Sequence, residues 1–377
     1  MTITNKSLSV LVGLTVVLLV LTILVLAHDP TRSSGSVKSD QLLIQGLDVP
    51  LISKIMVHAE GKQVTLQRQD DRFVVAEREN YPASIKEVNS LLMKVLEIRC
   101  HEVIADSPDS HKELGVADDA KTAKVELLGK DGKNLATVLI GSSAKTGGNY
   151  VRLVSGKPSD NTVYSSQEGI WGVAADPVGY LRKRLIEAPE ADIVSVTVAA
   201  GPSKYTISRD KDNKPQLQNV PAGKRVKSQS DVDDVFKGLA SLDIDDVTRD
   251  ANGIVWAGTY SCQLKSHLAY ELTVGKKLDK QYVKVKAVGP SDEQIDKART
   301  VPSDPKDEAT RKHNSDVLMA AQTAQTFNTS QEGWNYQLIE YKAKNFARPL
   351  ADLVEDIPAA TRPAATAPAA TTAPAKK

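Results

Sequence analysis

Residues 163–169 read VYSSQEG and residues 327–333 read FNTSQEG. One chain writes nearly the same pentapeptide twice, as a site used twice or as a fold used twice. The sequence around the two copies favours the fold. DIVSVTVAA (192–200) and KYTISRD (204–210) repeat an opening pair, KIMVHA (54–59) and VTLQR (64–68). SDVDDVFKGLASLDIDDVTRD (230–250) lies without a gap over KEVNSLLMKVLEIRCHEVIAD (86–106). That overlay matches Val88 with Val232, Leu91 with Val235, Leu92 with Phe236, Val103 with Val247 and Asp106 with Asp250. LAYELTVG (268–275) follows LATVLIG (135–141) with one inserted residue, and YVKVKAV (282–288) follows YVRLV (150–154). The collinear series predicts two tandem, duplicated α+β modules of short antiparallel strands and helices, over 42–187 and 192–356.

Local signals support the element types. Short runs rich in branched residues, such as RFVVA (72–76), are separated by turn-forming EGK and QDD and read as strands. Ile85, Val88, Leu91, Leu92, Val95 and Leu96 fall at helical spacing, with Ser84 placed to cap them. The pentapeptides themselves spell S-x-x-E, from Ser165 to Glu168, and T-x-x-E, from Thr329 to Glu332. That pattern is a capping box, in which the hydroxyl and the carboxylate satisfy backbone N–H groups of a first helical turn. A strand is therefore expected to end, and a helix to begin, at each copy. The copies differ in one large feature, a charged insert at 289–326 interrupted by Pro290, Pro302 and Pro305. Within it, ATRKHNSDVLMAAQTAQ is compatible with a single helix, and long insertions at the surface are often functional.

The two ends are not module-like. After residues 1–7, the run from Leu8 to Ala27 carries no charge. It is long enough to cross a bilayer core of roughly 30 Å. Lys6 before it favours a cytoplasmic N-terminus, and the run exceeds the h-region of a cleaved signal peptide, the competing reading. Either way the remainder is expected outside the cytoplasm, after a polar linker at 28–41. The Pro/Ala/Thr-rich tail at 357–377 has no pattern with which to bury a core and is expected to be disordered.

Composition narrows the function classes. A net charge of +1 offers no global field for nucleic acid, and 5% aromatic residues provide few stacking platforms. Two cysteines, Cys100 and Cys262, permit one disulfide but define no framework; two buried thiols are the plainer reading.

Motifs for chemistry are weak. GSSAKTGG (141–148) holds both S-x-x-K (Ser142 to Lys145) and K-T-G (Lys145 to Gly147). Enzymes that use both motifs place them on separate elements. Here they share Lys145, and a Gly-rich turn between two strands explains the stretch. None of the six histidines, His28, His58, His101, His111, His267 and His313, has a partner at zinc-ligand spacing. His101 and His111 flank a loop with Asp106 and Asp109. The acidic run DIDD (243–246) lacks the glycine and final glutamate of a calcium loop and reads as a solvated face following the helix. No catalytic, cofactor-binding or metal-binding residue is assigned.

ISKIMV, VTLQR ending at Arg68, RFVVA, YPAS opening a helix with a Leu pair, and ELGV (113–116) together resemble the bacterial family called domain of unknown function 4340. The resemblance is best over 50–190 and weaker over 192–356. Phe73 stands where a Trp is usual and Ser84 where an Asp is usual. It implies a one-pass membrane protein with duplicated α+β modules outside the cytoplasm, associated with gliding-motility-type ABC transporters. It brings no catalytic residues. The resulting expectation is a non-enzymatic accessory or scaffold protein of an ABC-type transport or envelope complex. It would be anchored in the cytoplasmic membrane and would contact transporter subunits. A solute- or glycan-binding module with a cleft between the copies is the alternative, disfavoured by the low aromatic content. An envelope hydrolase would need a convergent nucleophile and base, which the sequence does not display.

Overall fold

The computed structural model describes residues 41–155, 158–300 and 307–358. The apolar run 8–27, nearly all of the linker and the tail from 359 onward lie outside the described residues. Among the described residues no helix is long and apolar enough to cross a membrane. The fold is mixed α+β and mostly strand, in two compact units that divide between Arg182 and Lys183.

The main strands of the first unit are β1 (Lys54–Ala59), β2 (Lys62–Gln69), β3 (Arg72–Val75), β4 (Arg99–Ala105), β5 (Ala123–Leu128), β6 (Asn134–Ser143), β7 (Asn149–Val154) and β8 (Val163–Ser166). They form an antiparallel sheet in the order β4-β8-β7-β6-β5-β1-β2-β3, with short edge strands Gln41–Leu42 beside β4 and Tyr81–Pro82 beside β3. Alternation puts Ile55, Val57, Val64 and Leu66 on the buried face, each at 0% exposure. Helix α1 (Ile85–Leu96) turns Val88, Leu91, Leu92 and Val95 inward. Ser84 Oγ accepts from the Glu87 backbone N–H at 3.4 Å, the expected N-cap. Arg68 and Phe73, on paired strands, meet with the guanidinium carbon 5.0 Å from the ring centroid.

The second unit contains β9 (Ile193–Ala200), β10 (Ser203–Arg209), β11 (Pro215–Leu217), β12 (Asp246–Thr248), β13 (Val255–Leu264), β14 (Ala269–Lys277), β15 (Lys280–Val288) and β16 (Asn335–Leu338). Their order is β12-β16-β15-β14-β13-β9-β10-β11. Helix α2 (Gln229–Phe236) buries Val232, Val235 and Phe236. The insert holds α3 (Asp292–Arg299) and α4 (Glu308–Gln331), and α5 (Glu340–Phe346) and α6 (Leu350–Leu353) follow β16. Small side chains seat α4 close against the sheet: Ala324 packs with Leu268 and Ala287, flanked by Tyr270 and Phe327. Asn328 grips the backbone of Ala287, accepting from its N–H and donating to its carbonyl, both at 2.8 Å. One stripe of the insert, Val317, Ala320 and Ala324, is therefore buried while most of its other described residues stay at the surface, and its helix runs past the expected limit at 326 to Gln331.

The eight main strands of each unit have the same order, and several of their pairings correspond. Val103 faces Tyr164 in the first unit as Val247 faces Tyr336 in the second. Val151 faces Tyr164 and Ile140 as Val283 faces Tyr336 and Val274. Val57 faces Val125 and Val64 as Val198 faces Tyr260 and Tyr205.

The recurrent pentapeptide is out of step with this correspondence. Matching Tyr164 to Tyr336 puts Ser165–Gly169 across the end of β8 and Thr329–Gly333 before the start of β16. Neither forms the expected capping box. Ser165 and Ser166 end β8, and the chain then continues without helix through Gly169, Ile170, Trp171 and Gly172. Two glycines, a β-branched residue and an aromatic supply little helix propensity, so no first turn forms for Glu168 to cap. Thr329 lies in the last turn of α4, which ends with Glu332 as C-cap and Gly333 in the left-handed region at φ +77°.

What the first copy does is hold a hairpin. Ser166 Oγ accepts from the Asn149 N–H at 2.8 Å and donates to the Glu168 carbonyl at 2.7 Å. Asn149 Oδ1 accepts from the Ile170 N–H at 2.8 Å, and Asn149 Nδ2 donates to the Gly141 carbonyl at 3.1 Å. Ser165, fully buried, leaves its hydroxyl without a partner among the described residues. Ser166→Ala is thus expected to cost about 1–3 kcal/mol, because it orphans a buried N–H. Ser165→Ala is expected to be neutral or stabilising, and Glu168→Ala to fall within about 0.5 kcal/mol. Urea unfolding of the three variants checks this ranking; a capping box at Ser165 and Glu168 would reverse it.

Candidate functional site

Each pentapeptide walls a groove in its own unit. In the first, the groove lies between α1 and residues 166–171, has a volume of about 860 Å³, and is lined by Lys86, Met93, Lys94, Arg99, Gln167 and Trp171 among others. Trp171 is 73% exposed there and Met93 57%. Gly169 gives the indole room, since a Cβ at that position would stand 2.4 Å from Trp171 Nε1.

The second unit's groove, about 640 Å³, is walled by the end of α4 and floored by β15 and β16. Arg249, Lys284, Lys286, Glu332, Trp334 and Asn335 line it. The Arg249 guanidinium lies 4.0 Å from the centre of the Trp334 ring, and its Nη1 donates to the Glu332 carbonyl at 3.4 Å. Lys284 Nζ is 4.5 Å from the Trp256 ring, which lies across Gly275; a Cβ on Gly275 would approach Trp256 Cε3 to 2.6 Å. Asn335 is 2% exposed and donates from Nδ2 to the carbonyls of Thr248 and Arg249, both at 3.2 Å. These are devices for holding cationic and aromatic groups at fixed positions beside an open groove. Arg249, Lys284 and Trp334 converge only through strand pairing, so no local pattern in the sequence marks them.

Ser142, Lys145, His101, His111, Asp106 and Asp109 line neither groove. Ser142 lies at the end of β6 and donates to the Leu114 carbonyl at 3.4 Å, while Lys145 sits exposed in the β6–β7 turn. His111 is buried with Nε2 2.8 Å from the Asn161 carbonyl; His101 and Asp106 are exposed. Asp109 shares a turn with Ser107. The DIDD run is not the solvated face expected after the helix but contributes two short strands, Leu242–Asp243 and β12. Asp243 takes Arg184 Nε at 2.5 Å and Lys342 Nζ at 3.4 Å. Burial opposes the Asp243 charge, but these two cations outweigh it and hold the carboxyl below its ordinary range. Asp245 accepts from Gln337 at 2.8 Å. Among the described residues no group of three or more His, Cys, Asp or Glu is placed to hold a metal ion. Cys100 and Cys262 lie in different units, both free and buried. Burial pushes their thiols up to about 11 and about 12, so both stay protonated at neutral pH.

The architecture defines an α+β protein of two sheet-and-helix units. A family model described as Domain of unknown function (DUF4340) matches residues 74–255, just under half of the chain, and over those residues the chain is similar to that family. The match begins in β3 and ends as β13 starts. No curated protein and no solved structure matches the chain.

Proposed function

We propose that this chain acts by contact, as an accessory or scaffold protein built from two copies of one module. It is anchored through residues 8–27 in the cytoplasmic membrane with its modules outside, and it serves an ABC-type transport or envelope complex. The observation that carries the reading is the matched strand order and register of the two units, together with where they differ. The shared positions are core and pairing residues; the differences are surface additions, residues 106–122 in one unit and α3–α4 in the other. Surface additions to a repeated scaffold are where recognition is added without disturbing the core. A membrane anchor raises effective concentration near partners in the same membrane, so a modest interface suffices.

The test is co-purification from native membranes with substitutions on the outer side of α4, where Met319 is 63% exposed and Arg311 and Gln322 share a shallow groove. Met319→Glu with Arg311→Glu is expected to reduce recovery of a transporter subunit at least about tenfold, as loss of an interface anchor does. Ser142→Ala with Lys145→Ala is expected to behave as the parent. Loss of cellular function in that second variant, with folding and partner recovery intact, would contradict the reading. Deleting 289–326 outright is a poorer experiment, because it would strip Ala324 from Leu268 and Ala287.

A further inference from the structure

The outer face of the sheet is finished differently in the two units. In the first, residues 106–122 join β4 to β5 and lie over it. Leu114 and Val116 pack there in one cluster with Leu139, Tyr150 and Val163, and buried Arg152 donates from Nε to the Val116 carbonyl at 2.9 Å. This covering segment is acidic: Asp106, Asp109, Glu113, Asp118 and Asp119 against Lys112 and Lys121. In the second unit the same connection is only 249–254 and covers nothing comparable.

The residues beneath have changed with it. At matching register Thr273 replaces Leu139 and Lys284 replaces Arg152. Continuing along the same strands, Lys286 replaces Val154 and Asn335 replaces Val163. Exposure to water alone would favour polar side chains here. Two features go further. Lys284 and Lys286 are both exposed on one side of β15, about 7 Å apart along the strand, and among the described residues neither has an ion-pair partner. Asn335, almost fully buried, spends both amide hydrogens on backbone carbonyls while its Oδ1 has no donor among the described residues. Glu271 stands opposite Lys286 in the ladder and Glu332 lines the groove, but among the described residues neither forms an ion pair with these lysines. An unsatisfied buried acceptor beside two such cations calls for a ligand that brings negative charge and an N–H or O–H.

We propose that this face of the second unit docks an acidic peptide segment of a partner protein, which covers it in trans as residues 106–122 cover the corresponding face in cis. Side-chain carboxylates meet Lys284 and Lys286, and a backbone N–H meets Asn335 Oδ1. The first unit supplies the precedent on both counts: its covering element is a peptide, and that peptide is acidic. The inference rests on the contact role above and names the chemistry of one partner segment.

The probe is a fluorescein-labelled synthetic peptide of residues 106–122, titrated with the purified full-length chain by anisotropy. A control peptide carries Asn or Gln at its five acidic positions. Saturable binding of the acidic peptide is expected, weakened at least about tenfold by Lys284→Glu with Lys286→Glu, and similarly by the neutral control or by high salt. Lys284→Gln with Lys286→Gln should give a smaller loss, and thermal unfolding of both variants should match the parent. Absence of saturable binding, equal binding of acidic and neutral peptides, or indifference to both double variants would overturn the proposal. So would binding of polygalacturonate, an acidic polysaccharide, at these lysines in place of the peptide. If the peptide fails while a transporter subunit still co-purifies, this surface assignment falls and the contact role stands.

Discussion

Replacing Phe346 with Ala is expected to lower the unfolding free energy of the second unit by about 3–5 kcal/mol, the range for deleting a buried aromatic. Phe346 is 1% exposed and ties three elements together. It projects from α5 edge-on to Tyr260 of β13, with ring centroids 4.9 Å apart and an interplanar angle of 87°. It also lies over Gly238, just past α2, where a Cβ would come within 2.9 Å of its ring. Tyr260 in turn donates to the Val235 carbonyl at 2.8 Å, so the ring it leans on is fixed to the end of α2. Removing Phe346 leaves a cavity bounded by a helix end and a strand, neither able to move in without breaking that bond. Urea unfolding followed through Trp256 and Trp334, both in the second unit, should report a lower midpoint. The emission of exposed Trp171 reports the first unit and should keep its own midpoint if the damage is local.

The second large effect is expected from Gly148→Ala, at about 3 kcal/mol or more. Gly148 has φ +72°, where a side chain is strained by roughly 1–2 kcal/mol. The added Cβ would also stand 2.1 Å from the Ser166 carbonyl oxygen and 2.6 Å from its Oγ. Relief requires separating β7 from the end of β8, which breaks the Ser166–Asn149 bond and releases the Gln167–Trp171 wall of the first groove. Gly147→Ala is the control. Its φ is +101° but nothing lies within 4 Å of the added carbon, so only the conformational cost of about 1–2 kcal/mol should appear. Equal destabilisation by the two substitutions would show that close packing on Ser166 contributes nothing.

How far the sequence was legible depended on the range of the signal. Alternation in KIMVHA and the i, i+3, i+4 spacing from Ile85 to Leu96 are local, and the strand and helix they predict are present. Val103 and Val247, matched in the overlay of 86–106 on 230–250, each face a tyrosine of the neighbouring strand. The pentapeptide misled because S-x-x-E specifies a cap only when a helix follows, and Gly169-Ile170-Trp171-Gly172 cannot supply one. In the second copy the helix precedes, and the glycine that looked like part of a repeated site is the residue that stops it. The groove on β15 was illegible for another reason. Lys284 and Lys286 look like ordinary exposed strand residues until pairing shows which face they share and that 249–254 is too short to cover it.

The central claim is that both units are one module in the register that sets Tyr164 on Tyr336. An experimentally determined structure of the full-length chain, with the two units superposed strand by strand, tests it directly. The expected result places Val103 on Val247, Gly141 on Gly275 and Tyr164 on Tyr336, with the two SQEG stretches on opposite sides of their strands. Superposition of SQEG on SQEG, or a different strand order in either unit, would contradict it.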